Sequence, residues 1–143
     1  CISIATHPQH RMVSSFYFLG YDKHYSFLKF LQKIQDGSLL SEIQFLGFRA
    51  IIKQHLTSMH DSMTDHDGEN KMDFIFKREA LDNDWKEFCN LYKLDHGSLE
   101  HINKTKSITD WKELYGIYPE ASQLVYELYK KDFENFGYTV MIV

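Results

Sequence analysis

Apolar residues recur along this chain at two spacings, and each spacing marks a different kind of element. Phe74, Ile75 and Phe76 form a short unbroken apolar run, the pattern of a strand buried on both faces of a sheet. Cys1-Ile2-Ser3-Ile4-Ala5 reads as a second strand, closed by His7-Pro8, because proline cannot donate to a ladder and suits the first turn of a helix. Elsewhere the spacing is helical. Met12, Val13, Phe16, Tyr17 and Gly20 predict a helix over 9–19, and Phe27, Leu28, Phe30, Leu31 and Ile34 predict another over 24–35, stopped by Asp36-Gly37. Trp85, Phe88, Cys89 and Tyr92 stand at i, i+3, i+4 and i+7, which predicts a helix over 82–93 laid on the sheet that its own strand feeds. Asp82 and Asp84 place negative charge in its first turn, where unpaired backbone N–H groups favour it.

The rest of the pattern is less regular. Ile43, Phe45, Leu46, Phe48, Ile51, Ile52 and Leu56 are apolar enough for 38–58 to be read as a mostly buried helix, and 61–70 is polar and glycine-containing, the composition of a solvated loop. Pro119 opens a last helix over 119–131, lined by Ala121, Leu124, Val125 and Leu128 and continuing through Phe133 toward Phe136. Lys130 and Lys131 fall near its end, where cations suit the helix dipole. Thr139 to Val143 is an apolar tail, a candidate extra strand. Strands that feed helices argue for an α/β architecture with the two strands parallel in one sheet.

At 143 residues, with 43% hydrophobic and 25% charged side chains, the chain fits a single globular domain, residues 1–143. It opens on a strand already in progress and without an initiator methionine, so the expectation is a piece of a longer domain. A net charge of −4 argues against a general nucleic-acid binder; an anionic ligand would need a local pocket. No apolar run approaches the roughly 20 residues of a membrane span. Cys1 and Cys89 are too few and too far apart for a disulfide framework or a zinc site, and Cys89 reads as a core filler. His55, His60 and His66, with Asp61, Asp65 and Asp67, match no standard zinc spacing, and no structural metal is expected there.

Four stretches carry a resemblance. DFIFKREALDNDWKEFC resembles the sulfotransferases that use the donor PAPS (3′-phosphoadenosine-5′-phosphosulfate), in particular the branch that sulfates carbohydrates, where a strand D-F-[IV]-G-R-[FY]-E precedes an acidic stretch and a helix. Asp73, Phe74, Ile75, Glu79, Leu81 and Asp84 match; Phe76 replaces the glycine and Lys77 the arginine. Leu99 to Thr105 resembles the family's L-x-H-[LIV]-N-[KS]-[ST] loop, and Leu128 to Tyr138 its closing L-Y-x-x-D-[FI]-x-x-F-G-Y, the most specific of the matches. The fourth is ATHPQHRMVSSFYF. In the family an arginine at a strand end and a serine eight residues later hold the 3′-phosphate of the donor, with a proline two residues after the arginine. Pro8 and Ser14 stand in place and Arg11 matches a second basic position, but Thr6 replaces the phosphate-binding arginine.

The resemblance implies a parallel-sheet, P-loop-like sulfotransferase fold, helix-rich and here without its N-terminal phosphate-loop unit, so that the chain corresponds to the C-terminal two-thirds of the domain. It implies sulfuryl transfer from PAPS to a hydroxyl or amine of a carbohydrate, with no metal and no covalent intermediate. Thr6, Arg11, Ser14, Asn103, Lys104 and Thr105 are the implied donor-binding residues. No base or 5′-phosphosulfate loop is identifiable, which keeps open a different class of function, a non-catalytic binding or structural module on the same fold. The implied compartment is the cytoplasm for a bacterial protein and the Golgi lumen for a eukaryotic carbohydrate sulfotransferase, where Asn103-Lys104-Thr105 would also be a glycosylation sequon.

Overall fold

Ile2–Ala5 (β1) and Phe74–Lys77 (β2) pair in parallel, with Ile2 opposite Phe74 and Ala5 opposite Lys77. The computed structural model describes residues 1–95, 97, 99 and 110–142. Between the strands the chain crosses over through α1 (Pro8–Phe18), α2 (Phe27–Gln35), α3 (Ser38–Ser41), α4 (Leu46–Leu56) and α5 (Met59–Met63). After β2 come α6 (Leu81–Tyr92), α7 (Lys112–Ile117), α8 (Glu120–Leu128) and α9 (Lys130–Phe136). The result is a helix-rich α/β fold around a small two-stranded sheet.

The two faces of the sheet differ. Ala5 packs with Met59 and Met63, and Ile75, Phe136 and Tyr138 close that side. On the other, Phe88 of α6 meets Phe74 and Phe76 with ring centroids 5.2 and 5.3 Å apart, and Trp85 stacks on Phe88 at 5.9 Å. This is the α6 face expected from the spacing, with Cys89 fully buried beneath it. The expectation that β2 is buried on both faces is only partly met: Phe76 is buried, Phe74 and Ile75 half-buried. On the face that carries Phe74 and Phe76, α6 leaves the neighbouring Ile2 and Ile4 of β1 58% and 52% exposed.

The main core joins α1, α2 and α8. Met12, Val13, Phe16, Phe27, Phe30, Leu31, Ala121 and Val125 are buried together with Tyr115, and burying each large apolar side chain contributes about 1.5–3 kcal/mol. Ser26 caps α2 by accepting from the Lys29 N–H at 3.3 Å, so this helix starts later than its apolar pattern suggested, after a 3₁₀ turn at Tyr21–Lys23.

Three other expectations are corrected. Residues 38–58 form two helices rather than one, and α4 turns Leu46, Phe48 and Ile51 outward, as does Phe45 just before it, leaving Ile52 as its buried residue. The last helix breaks at Tyr129 (φ −126°, ψ 29°), which makes Lys130 and Lys131 the first residues of α9 instead of the last of a longer helix. The tail adds no strand among the described residues; Met141 instead pairs its backbone with the side chain of buried Gln9, which accepts from the Met141 N–H at 2.7 Å and donates to its carbonyl at 2.9 Å.

Candidate functional site

Because β1 and β2 run parallel and in register, their C-terminal ends emerge at one edge of the sheet, the edge where ligands bind in open α/β folds. Thr6 leaves β1 there and Arg78 leaves β2 there. Above them α1 begins, its first turn shaped by Pro8 and by His7, whose Nδ1 accepts from the Gln9 N–H at 3.3 Å. A cavity of about 290 Å³ opens at this edge, lined by Ile4, Thr6, Arg11, Ser14, Ser15, Phe18, His55, Met59 and Arg78. Two arginines, three hydroxyls and an imidazole on an otherwise apolar wall suit a small anion.

The two arginines are held very differently. Arg11 donates from Nη2 to the carbonyl of His55 at 3.0 Å and to that of Thr57, and its guanidinium lies 5.8 Å from the Tyr129 ring centre. Its Nη1 is buried without a hydrogen-bond partner, 3.8 Å from Asp132. Asp132 is itself fully buried and accepts from the Met59 and His60 N–H groups at 2.9 and 2.8 Å, closing the start of α5. Burial pushes its carboxyl pKa up, against the pull of those two N–H groups and of Arg11. Arg78 is exposed, and among the described residues it makes no ion pair or side-chain hydrogen bond.

A model of the sulfotransferase family matches residues 2–139. The chain belongs to the sulfotransferase family. No curated protein and no solved structure matches it significantly. Sulfuryl transfer in general is the chemistry of that family, and the matched residues run through both strands and all nine helices of the described sulfotransferase chain.

The cavity brings together three of the residues expected at the donor site, Thr6, Arg11 and Ser14. Asn103, Lys104 and Thr105 lie outside the described residues. His55 and Arg78 also line the cavity and were not foreseen; the signal for Arg78 is its position directly after β2, which becomes informative only with the parallel register in hand.

Around the site, motif residues of this sulfotransferase-family chain do structural work. Glu79 accepts from the His7 N–H at 2.7 Å and from the Tyr138 hydroxyl at 3.0 Å, tying the end of β2 to the start of α1 and to the chain's final turn. Burial alone would raise its pKa, but these bonds outweigh it and leave the carboxyl below its usual range. His7 donates from Nε2 to the Thr139 carbonyl at 3.0 Å, so with Nδ1 accepting it sits as the neutral tautomer, and burial lowers its pKa. Gly137 closes α9 in the left-handed region (φ 66°), as the closing motif implied.

The histidines are dispersed. His55 packs its ring 4.8 Å from Phe18, and His60 Nδ1 lies 3.1 Å from Asn135 Nδ2. Asp65, His66 and Asp67 do approach one another on the surface, with ligand atoms within 4.8 Å. Asp65 is committed to Lys71 at 2.7 Å and to the N–H groups of Asp67 and Glu69; the Lys71 bond is the main cause of its lowered pKa. No helix among the described residues is long and apolar enough to cross a membrane.

Proposed function

We propose that this chain forms the part of a sulfotransferase domain that receives the 3′-phosphate side of PAPS, and that the domain transfers the sulfuryl group to a hydroxyl or amine of a carbohydrate. The observation that carries the reading is the cavity at the strand ends, where Thr6, Arg11 and Ser14 meet at the start of α1 in a chain of this family. Its volume of about 290 Å³ falls just below the roughly 300–1,000 Å³ typical of small-molecule pockets. That is room for a phosphate and its sugar, with the rest of the nucleotide lying outside it. Asn103, Lys104 and Thr105 are the proposed facing loop, offering an amide, a cation and a hydroxyl to the same side of the donor. In this reading residues 1–143 are the C-terminal portion of a P-loop-like domain, and a phosphate loop outside this stretch serves the 5′-phosphosulfate.

PAPS supplies the activated sulfuryl group when bound. The residues described here hold its nucleotide end: Ser14 and Thr6 offer hydroxyl donors, and Arg11 fixes the junction between α4 and α5 that forms the far wall. The firm commitment of Arg11 to carbonyls, together with Thr6 at the arginine position, favours a second reading, a non-catalytic module on the same fold. The test is to incubate the protein carrying these residues with radiolabelled PAPS and a panel of polysaccharides. Label transferred to a carbohydrate supports the first reading; donor binding without transfer to any acceptor class supports the second.

A further inference from the structure

We propose that Arg78 is the cation that pairs with the bound anion in this cavity, supplying from the end of β2 the charge that Thr6 does not supply from the end of β1. The inference deepens the donor-site reading and rests on it for the identity of the anion. Three observations carry it. Arg78 lines the cavity, and the Ala5–Lys77 register puts the residue after β2 beside the residue after β1. Arg11 is the other cavity arginine, but its Nη2 serves two backbone carbonyls and its Nη1 is buried beside Asp132. Turning Arg11 toward a ligand would strand those carbonyls and leave a buried carboxylate without its cation.

Arg78 carries no such commitments among the described residues. Its planar fork can meet two oxygens of a phosphate at once, a geometry that a lysine cannot reproduce. Glu79, its neighbour, does not compete for it, since both carboxylate oxygens of Glu79 accept from His7 and Tyr138. The Ser14 and Thr6 hydroxyls complete the cradle from α1 and β1.

The experiment follows backbone amide shifts by NMR in the wild type and in the Arg78→Gln and Arg78→Lys variants. Each is titrated with inorganic phosphate, adenosine 5′-monophosphate and 3′,5′-diphosphoadenosine. Arg78→Gln should weaken 3′,5′-diphosphoadenosine about ten- to hundredfold, the loss of charge-assisted bonds. Arg78→Lys should recover part of it, and 5′-monophosphate binding should not change. Thermal unfolding of both variants should match wild type, because the side chain is exposed. If 3′,5′-diphosphoadenosine binds and Arg78→Gln leaves it unaltered, the donor reading stands and the Arg78 assignment falls. If inorganic phosphate binds in an Arg78-dependent way but the nucleotide binds no tighter, Arg78 holds an anion and the donor reading falls. Absence of binding by all three probes overturns both.

Discussion

Replacing Asp132 by asparagine should destabilise the protein far more than a charged residue on a helix normally would. Its two oxygens accept one N–H each, from Met59 and His60, and it is fully buried. Asparagine keeps one acceptor and turns an NH₂ group toward the other donor. The loss of one charge-assisted bond is about 1.5–3 kcal/mol, and a buried N–H left unpaired adds about 1–3 kcal/mol. Arg11, 3.8 Å away, also loses its opposite charge. Working against this, burial raises the Asp132 pKa, so removing the charge recovers part of a desolvation penalty. The expected net loss is about 2–4 kcal/mol, and Asp132→Ala should lie at or above the top of that range. Urea unfolding followed by fluorescence of the two tryptophans, Trp85 and Trp111, measures it at unchanged m-value. A loss within about 0.5 kcal/mol for Asp132→Asn, the scatter of an ordinary surface substitution, would refute the reasoning.

Stability should fall on acidification from about pH 7.5 to 5.5. Burial lowers the pKa of His7 and of His10, so the unfolded chain binds these protons first as the pH drops through about 6.5; urea midpoints across that range should slope upward with pH, and removal of both histidines should flatten the slope. Gly137→Ala should lower stability by about 1–2 kcal/mol because alanine is strained at its left-handed φ of 66°, with no steric clash added, since the new Cβ would meet nothing closer than Lys77 Nζ at 3.8 Å; a neutral result by thermal unfolding would contradict this. Dialysis against a weak chelator should leave no stoichiometric zinc by elemental analysis, since Asp65 already serves Lys71 and the cluster is exposed; retained zinc at one per chain would contradict this.

Much of the layout is legible in the sequence because its signals are periodic. The apolar run at Phe74–Phe76 and the α6 stripe need no tertiary information, and proline opens α1 while glycine follows the ends of α2 and α9; the start of α2 at Ser26 is not legible in its apolar pattern, which places it three residues early. The break at Tyr129 has no proline or glycine to announce it. For α4, apolar spacing defines a face but not which side of the helix meets the core, and Ile52 rather than Phe45 or Phe48 is the residue buried. Asp132 is hidden for the opposite reason: an aspartate is ordinarily exposed, and only the packing of α9 on α5 explains its burial. At the site, Thr6, Arg11 and Ser14 lie close in sequence and were found together, whereas Arg78 reaches the same cavity from more than sixty residues away, through strand pairing.

The most direct test of the proposed donor site is a titration with 3′,5′-diphosphoadenosine, read residue by residue from amide shifts. The expected result is weak binding, with shifts concentrated at Thr6, the first two turns of α1 and Arg78, abolished by Ser14→Ala combined with Lys104→Ala. Tight binding that survives both substitutions, or shifts confined to a different face of the molecule, would contradict the placement of the site.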